Sequence, residues 1–230
     1  MTVRNSGRST VLITGFGPFP GVPVNATMRL VPMLAEAARR AFPDVVFVTR
    51  LLDTEWETAP AHALAAMQAI APDLVLHFGV SGRARGFEIE TRARNACQYS
   101  ADAAGRFPAA PHLAHPATDA LRATLPVHAI VARLRAHGIS AFASRDAGAY
   151  LCNTVLWRSL EAMRATPSPP RIGFVHIPAS LERPGVPSRG RTGACPLTWA
   201  QALRGGLEII AGGLGRQTPL SITQARSHVR

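Results

Sequence analysis

Short runs of β-branched and large apolar residues recur along this chain, and each is followed by a longer segment rich in Ala, Leu and Arg. That alternation leaves few folds open. Ser9 to Thr14 (STVLIT), Val45 to Leu52 (VVFVTRLL), Leu74 to Phe78 (LVLHF), Ile139 to Ser144 and Arg171 to Ile177 (RIGFVHI) read as strands, with Phe87 to Ala93 as a further one. Between Thr27 and Phe42, the residues Met28, Val31, Leu34, Ala35 and Ala38 fall at helical spacing. Ala59 to Ile70, Ala129 to His137, Cys152 to Ala165 and Leu197 to Ile210 also read as helices. Pro60 is tolerated in a first turn, and Gly138 stops the helix before it. The strands are continuous apolar runs rather than alternating ones, which is what a sheet covered on both faces needs. The expectation is an α/β fold with a largely parallel sheet and helices on both sides. Ala101 to Pro126 and Ser180 to Pro196 read as loops.

A chain of 230 residues can bury a core without disulfide or metal staples. The expectation is a single domain over residues 1–230, with 1–8 and 216–230 as frayed tails. An apolar fraction of 47% against 17% charged residues excludes a disordered chain. No apolar run reaches the roughly 18 residues of a membrane span. Val11 to Ile13 is too short for the core of a signal peptide. Cys97, Cys152 and Cys195 are odd in number and widely spaced, so neither a disulfide framework nor a zinc set is expected, and the address read from them is cytoplasmic. The net charge of +11 invites a nucleic-acid partner. Against it, the basic residues are all arginine and scattered, and they do not interleave with aromatics as a stacking surface requires. No nucleic-acid and no membrane partner is expected.

In open α/β sheets ligands collect at the carboxyl ends of strands. Four such stretches carry unusual residues: Gly15 to Gly21, Gly79 to Arg83, Ala147 to Asn153, and His176 to Pro178. Cys152 stands where a Gly-containing turn enters a helix. There, free N–H groups and the helix dipole favour a thiolate and can hold an oxyanion. A buried, inert cysteine is the plain alternative. His176 ends an apolar strand and could face the same crevice as a base. Glu88 and Glu90 share one face of their strand, so either could orient that base, or both could be solvated partners of Arg92 and Arg94. Phe16 and Phe19 lie three apart on a tight turn and could clamp a flat apolar ligand or simply plug the core. The glycines form neither phosphate-binding pattern, which argues against a nucleoside phosphorylase on a similar scaffold. His112 and His115 lack acidic partners, and no zinc site is expected there.

Taken together, these segments resemble the pyroglutamyl peptidase I family, cysteine peptidases that remove an N-terminal pyroglutamyl residue. The resemblance runs from about Val11 to about Pro178. It rests on Gly15, Phe16, Pro18, Phe19, Gly21 and Asn25 in the opening turn, and on Pro72-Asp73-Leu74-Val75-Leu76-His77-Phe78-Gly79 in a central strand. It rests further on the block Ser144, Ala147, Gly148, Tyr150, Leu151, Cys152 and Asn153, and on Gly173, Phe174, His176 and Pro178. The resemblance implies a three-layer α/β/α sandwich around a mostly parallel, twisted mixed sheet of the phosphorylase/hydrolase-like kind. It implies Cys152 as nucleophile, His176 as base and Glu90 as third member. Glu90 is chosen over Glu88 because the family's Glu-x-x-Ala-x-Asn is matched by Glu90, Ala93 and Asn95.

By the same matching, Phe16 and Phe19 sandwich the lactam ring, Asn25 supports the turn, and Thr54 and Leu151 line the pocket. No cofactor and no metal is implied. The substrate is a peptide with N-terminal pyroglutamate, and a homo-oligomer, dimer or tetramer, is left open. The chain departs from the family pattern at Gly17, where an acidic residue is usual, at Pro20, where glycine is usual, and at Ala26, where proline is common. It also carries a longer Arg/Pro/Gly loop over 180–196 with Cys195. These departures keep a second function open: a divergent amidohydrolase on the same scaffold with another cyclic or N-blocked amide.

Overall fold

A computed structural model describes residues 7–114, 118–179, 181 and 197–219. His115, Cys195, the 180–196 loop apart from Leu181, and the tail residues 1–6 and 220–230 lie outside the described residues. In chain order the elements are β1 (Thr10–Phe16), α1 (Thr27–Ala41), β2 (Val46–Leu52), α2 (Thr58–Ile70), β3 (Leu74–Ser81), β4 (Phe87–Glu90), β5 (Arg92–Arg94), β6 (Ala120–Arg122), α3 (Val127–Ala136), β7 (Ala141–Ser144), α4 (Leu151–Met163), β8 (Arg171–Pro178) and α5 (Trp199–Leu214).

Six strands form one mixed sheet in the order β2-β1-β3-β8-β4-β7. The pairs β1/β2, β1/β3 and β3/β8 are parallel. β4 is antiparallel to β8 but parallel to β7, so the last two strands run against the other four. The continuous apolar runs are explained by the two cores they feed. Val11 and Ile13 of β1 join α1, α3 and α5 in one core, whereas Leu12 points to the opposite core with α2 and α4. β3 divides likewise, with Leu74, Leu76 and Phe78 on one side and Val75 on the other. A period-2 strand buried on both faces has no polar side to show.

Four local expectations are corrected. The strand expected to end before Gly79 continues to Ser81, because β8 pairs with it along its full length. The single strand expected over Phe87 to Ala93 breaks at Thr91. The backbone N–H and the hydroxyl of Thr91 both donate to the Ser144 carbonyl, at 2.8 and 2.7 Å, and β5 leaves to form a separate two-stranded ribbon with β6. β6 itself lies inside the stretch read as loop, since Ala-Leu-Arg carries no strand signal of its own. The last helix runs on through Gly212 and Gly213 to Gly215, which caps it at φ +71. It starts from a capping box between Thr198 and Gln201.

The β8/β4 seam is registered by Glu88 opposite His176 and Ile89 opposite Val175. Glu88, Glu90 and His176 therefore stand on one face of the sheet, the face that carries α4.

Candidate active site

The carboxyl ends of β1, β3 and β8 open into a cleft of about 670 Å³. Phe16, Phe19, Asn25, Thr54, Gly79, Glu88, Leu151, Cys152 and His176 are among its lining residues. β4 runs the other way, so it meets the cleft near its beginning, through Glu88.

Cys152 lies in the first turn of α4. Its cap residue Tyr150 is extended and offers no side-chain cap to the helix. The first bond of the helix runs from the Thr154 N–H to the Tyr150 carbonyl, 3.1 Å. The N–H groups of Leu151, Cys152 and Asn153 precede that ladder and point out of the helix end, as an oxyanion would require. Asn153 fixes this end against β5. Its Oδ1 accepts from the Arg94 N–H at 2.8 Å, and its Nδ2 donates to the carbonyls of Arg94 at 2.8 Å and Ala96 at 3.0 Å.

His176 is buried with its Nδ1 2.9 Å from Glu90 Oε1, and Glu90 is fully buried. The side chain of Cys152 also acts on this ring, by its charge and by a hydrogen bond, and the nitrogen not taken up by Glu90 is Nε2. Burial pulls the imidazole pKa down. The charge and hydrogen bond of Cys152, together with the hydrogen bond and charge of Glu90, outweigh it and push the ring up to about 10. At neutral pH the ring is therefore an imidazolium held between a sulfur and a carboxylate. A thiol, an imidazole and a carboxylate in this order have the makeup of a nucleophile with a base and an orienting acid. Phe174 packs beneath, its ring centroid 4.8 Å from that of His176 and 6.1 Å from that of Phe16.

The first turn of the sequence is built to present Phe19. Phe19 and Val22 exchange backbone bonds of 3.2 and 2.8 Å across Pro20-Gly21, with Gly21 at φ +82. Proline followed by a positive-φ glycine fits a type II turn, so the departure at Pro20 has a local reason. The Gly17 carbonyl is the anchor of the turn. It accepts from Asn25 Nδ2 at 3.1 Å and from the Thr54 hydroxyl at 3.0 Å. A side chain at Gly17 would meet only the Leu52 carbonyl, at 3.6 Å, so space does not demand glycine there. Asn25 Oδ1 in turn accepts from the Thr27 hydroxyl at 2.8 Å. Phe16 is buried against Phe174, whereas Phe19 faces Tyr150 at 6.1 Å.

Tyr150 is a member of the slot that the sequence does not single out, although it sits in the quoted block beside Leu151. Its ring also meets Trp56 edge-on at 5.0 Å, and its hydroxyl donates to the Ala101 carbonyl at 3.0 Å. Trp56 donates to the Ser100 carbonyl at 3.0 Å. The stretch read as plain loop thus buttresses the aromatic wall. Its own turn is organised by Asp102. Burial raises that carboxyl, and bonds from the N–H groups of Trp56, Arg106 and Ala104, with the charge of Arg106, more than reverse the effect.

Other titratable groups divide clearly. His77 on β3 is fully buried between Thr14 Oγ1 at 2.7 Å and Ser159 Oγ at 3.1 Å. Burial takes it down to about 3, and it stays neutral inside the core. Glu88, Glu90 and His176 are the one group among the described residues whose donor atoms converge as a metal site would need, within 4.8 Å of one another. Of these three, His176 Nδ1 and Glu90 Oε1 are already bonded to each other at 2.9 Å.

A model of the pyroglutamyl peptidase family matches residues 9–204. Pyrrolidone-carboxylate peptidase 1 of Ralstonia nicotianae is 35% identical over 184 residues, covering 78% of this chain and 84% of that protein. The pyrrolidone-carboxylate peptidase of Thermococcus litoralis is 31% identical over 169 residues, with 73% and 76% covered. Among solved structures, pyroglutamyl peptidase I of Bacillus amyloliquefaciens superposes with a TM-score of 0.75 at 26% identity, over 90% of this chain and 96% of that one. A mutant pyrrolidone carboxyl peptidase of Pyrococcus furiosus gives 0.77 at 28% identity, over 90% and 98%.

Proposed function

This chain belongs to the pyroglutamyl peptidase family, and from that membership together with the cleft we propose how it works. It is a pyroglutamyl peptidase: it hydrolyses the amide bond that follows an N-terminal pyroglutamyl residue. Cys152 is the nucleophile, His176 the acid and base, and Glu90 the group that orients and charges the ring. The single observation that carries this is His176, bonded at Nδ1 to buried Glu90 and facing the same cleft as Cys152, whose charge raises the ring's pKa.

The lactam ring enters the slot of Phe16, Phe19 and Tyr150, with Leu151 behind it and the Asn25 and Thr54 anchors holding the turn. The Cys152 sulfur forms a bond to the pyroglutamyl carbonyl carbon, and the oxygen takes the charge under the N–H groups of the helix end. His176 passes its proton to the departing nitrogen as the carbon–nitrogen bond breaks, which leaves a thioester. A water molecule loses a proton to His176 and attacks that thioester. Pyroglutamate departs and the thiolate–imidazolium pair is restored. A slot that hydrogen-bonds the lactam rejects proline, which lacks the ring carbonyl, more strongly than an apolar slot could.

One peptidase domain over the whole chain and a cytoplasmic setting belong to the same reading, the latter because a working thiol needs a reducing surrounding. So does self-association as a dimer or tetramer, which sedimentation velocity reads directly. Among the described residues no helix is long and apolar enough to cross a membrane. The purified protein should release the fluorophore from pyroglutamyl coumarylamide, and iodoacetamide or Cys152→Ala should abolish that release. Undiminished turnover by Cys152→Ala would remove the proposed nucleophile.

A further inference from the structure

The order of strands lays out the cleft as a sequence of stations. Phe16 and Phe19 stand at the end of β1, Gly79 on β3, His176 on β8, Glu88 on β4, and Phe142 to Ser144 on β7. With the acyl group in the β1 slot and its carbonyl at Cys152, the departing nitrogen must come within roughly 3 Å of His176. The leaving peptide then continues over β4 and β7, away from the slot.

The first charged group on that path is Glu88. Its carboxylate lies within 4.8 Å of a His176 ring nitrogen and of a Glu90 oxygen. Among the described residues, no hydrogen bond or ion pair engages it. Beside it, Glu90 Oε2 is buried and has no partner either. The ring that faces both carboxyl groups is already bonded to Glu90 at Nδ1, so Glu88 has no partner of its own among the described residues. Among the described residues lining the cleft, the other charged ones besides His176 are Asp146 and Arg83. Asp146 is already paired with Arg94 at 2.7 Å, and Arg83 stands exposed on the turn after β3. Phe142, half-exposed on β7 and opposite Glu88 in the β4/β7 register, supplies an apolar surface, with the Arg135 guanidinium 5.4 Å from its ring centroid.

We propose that Glu88 is the specificity-determining residue of a leaving-group subsite that favours a lysine or arginine directly after the pyroglutamyl residue. The subsite presupposes the pyroglutamyl peptidase activity. A long basic side chain on the departing residue spans the distance from the scissile nitrogen to Glu88, and its stem lies along Phe142. Burial already raises the Glu88 carboxyl, the charge of His176 lowers it and Glu90 raises it further. An incoming cation meets that group and holds it ionised.

The test compares pyroglutamyl-arginine amide with pyroglutamyl-citrulline amide, which differ in charge but hardly in shape, at low ionic strength. The unaltered enzyme should favour arginine in kcat/KM by about fivefold, the scale of one partly exposed ion pair. Glu88→Gln should bring that ratio to about one, and Glu88→Arg should instead favour pyroglutamyl-glutamate amide. Because each ratio is taken within one protein, a general loss of activity in a variant does not alter the outcome. Raising the salt should also shrink the ratio in the unaltered enzyme, which needs no variant at all. A ratio of one in the unaltered enzyme, or an unchanged ratio in Glu88→Gln, overturns the subsite. If pyroglutamyl coumarylamide is still cleaved, only the subsite falls. If it is not cleaved, the reading of the activity falls as well.

Discussion

A methyl group placed on Gly79 would stand 2.7 Å from the Phe174 ring and 3.0 Å from the Cys152 sulfur. Glycine at this point lets β3 pass directly beneath the Cys152 sulfur. Gly79→Ala should cost about 1–3 kcal/mol of stability through overpacking. It should also lower kcat by roughly tenfold to a hundredfold through displacement of the sulfur, with a smaller change in KM. Denaturant titration and steady-state kinetics read the two effects separately. His176 carries a pH prediction. Its pKa is raised from 6.5 to about 10, so its stabilising charge is fully present below 6.5 and is lost as pH rises through about 10. The alkaline limb of kcat/KM should therefore lie well above neutrality. In Cys152→Ala, which removes the counter-charge, the ring should titrate at lower pH by NMR. At this scale the sequence is legible in part. Cys152 and His176 can each be picked out by position, but nothing in their spacing joins them. Alternation puts Glu88 and Glu90 on the same face and cannot choose between them. The choice comes from matching a pattern, and in the fold it is Glu90 whose oxygen meets the ring, because Glu88 lies further toward the open cleft.

Among the elements, the Pro20-Gly21 turn bears most directly on the ring slot. Gly21 sits at φ +82, where a side chain is strained. Gly21→Ala should cost about 1–2 kcal/mol and tilt Phe19 away from Tyr150. KM for pyroglutamyl coumarylamide should rise more than kcat falls, and an equal fall in both would point to a different role for the turn. The elements whose signal is local are readable from the chain. β1, β2, β8 and the first helix fall within a residue or two of their expected bounds. Those set by distant partners are not. β6 exists because Ala93 pairs with Leu121, and β3 passes Gly79 because β8 runs alongside. The glycines of α5 look like helix breakers until their surroundings are seen. Gly205 lies against Phe87 and Gly206 against Leu34, where any Cβ would collide.

At the scale of the whole molecule, the sheet separates two cores, and the end of the described chain is tied back across one of them. Glu208 on α5 is buried and meets Arg133 of α3, and the Thr218 hydroxyl donates to Glu208 at 2.8 Å. Arg133 also donates to the Arg216 carbonyl at 3.1 Å. Arg133→Ala takes the arginine from the buried carboxylate, leaves it the Thr218 hydroxyl and the His137 ring at 3.7 Å, and should cost about 3 kcal/mol, far from the cleft. Thermal unfolding should report that loss while KM for the coumarylamide holds. The sequence shows four unusual strand ends, but not that the β4–β7 pair runs against the rest, since direction leaves no mark on composition. That reversal has a consequence for how the protein can be monitored. Were β4 to pair with β8 one residue out of step, both acids would swing to the far side of the sheet and the ring would lose its carboxylate. On the proposed mechanism, turnover is a built-in proofreader of assembly: a molecule that works has zipped its odd-running edge in the right phase, and a count of working sites in a refolding mixture should measure how often that happens.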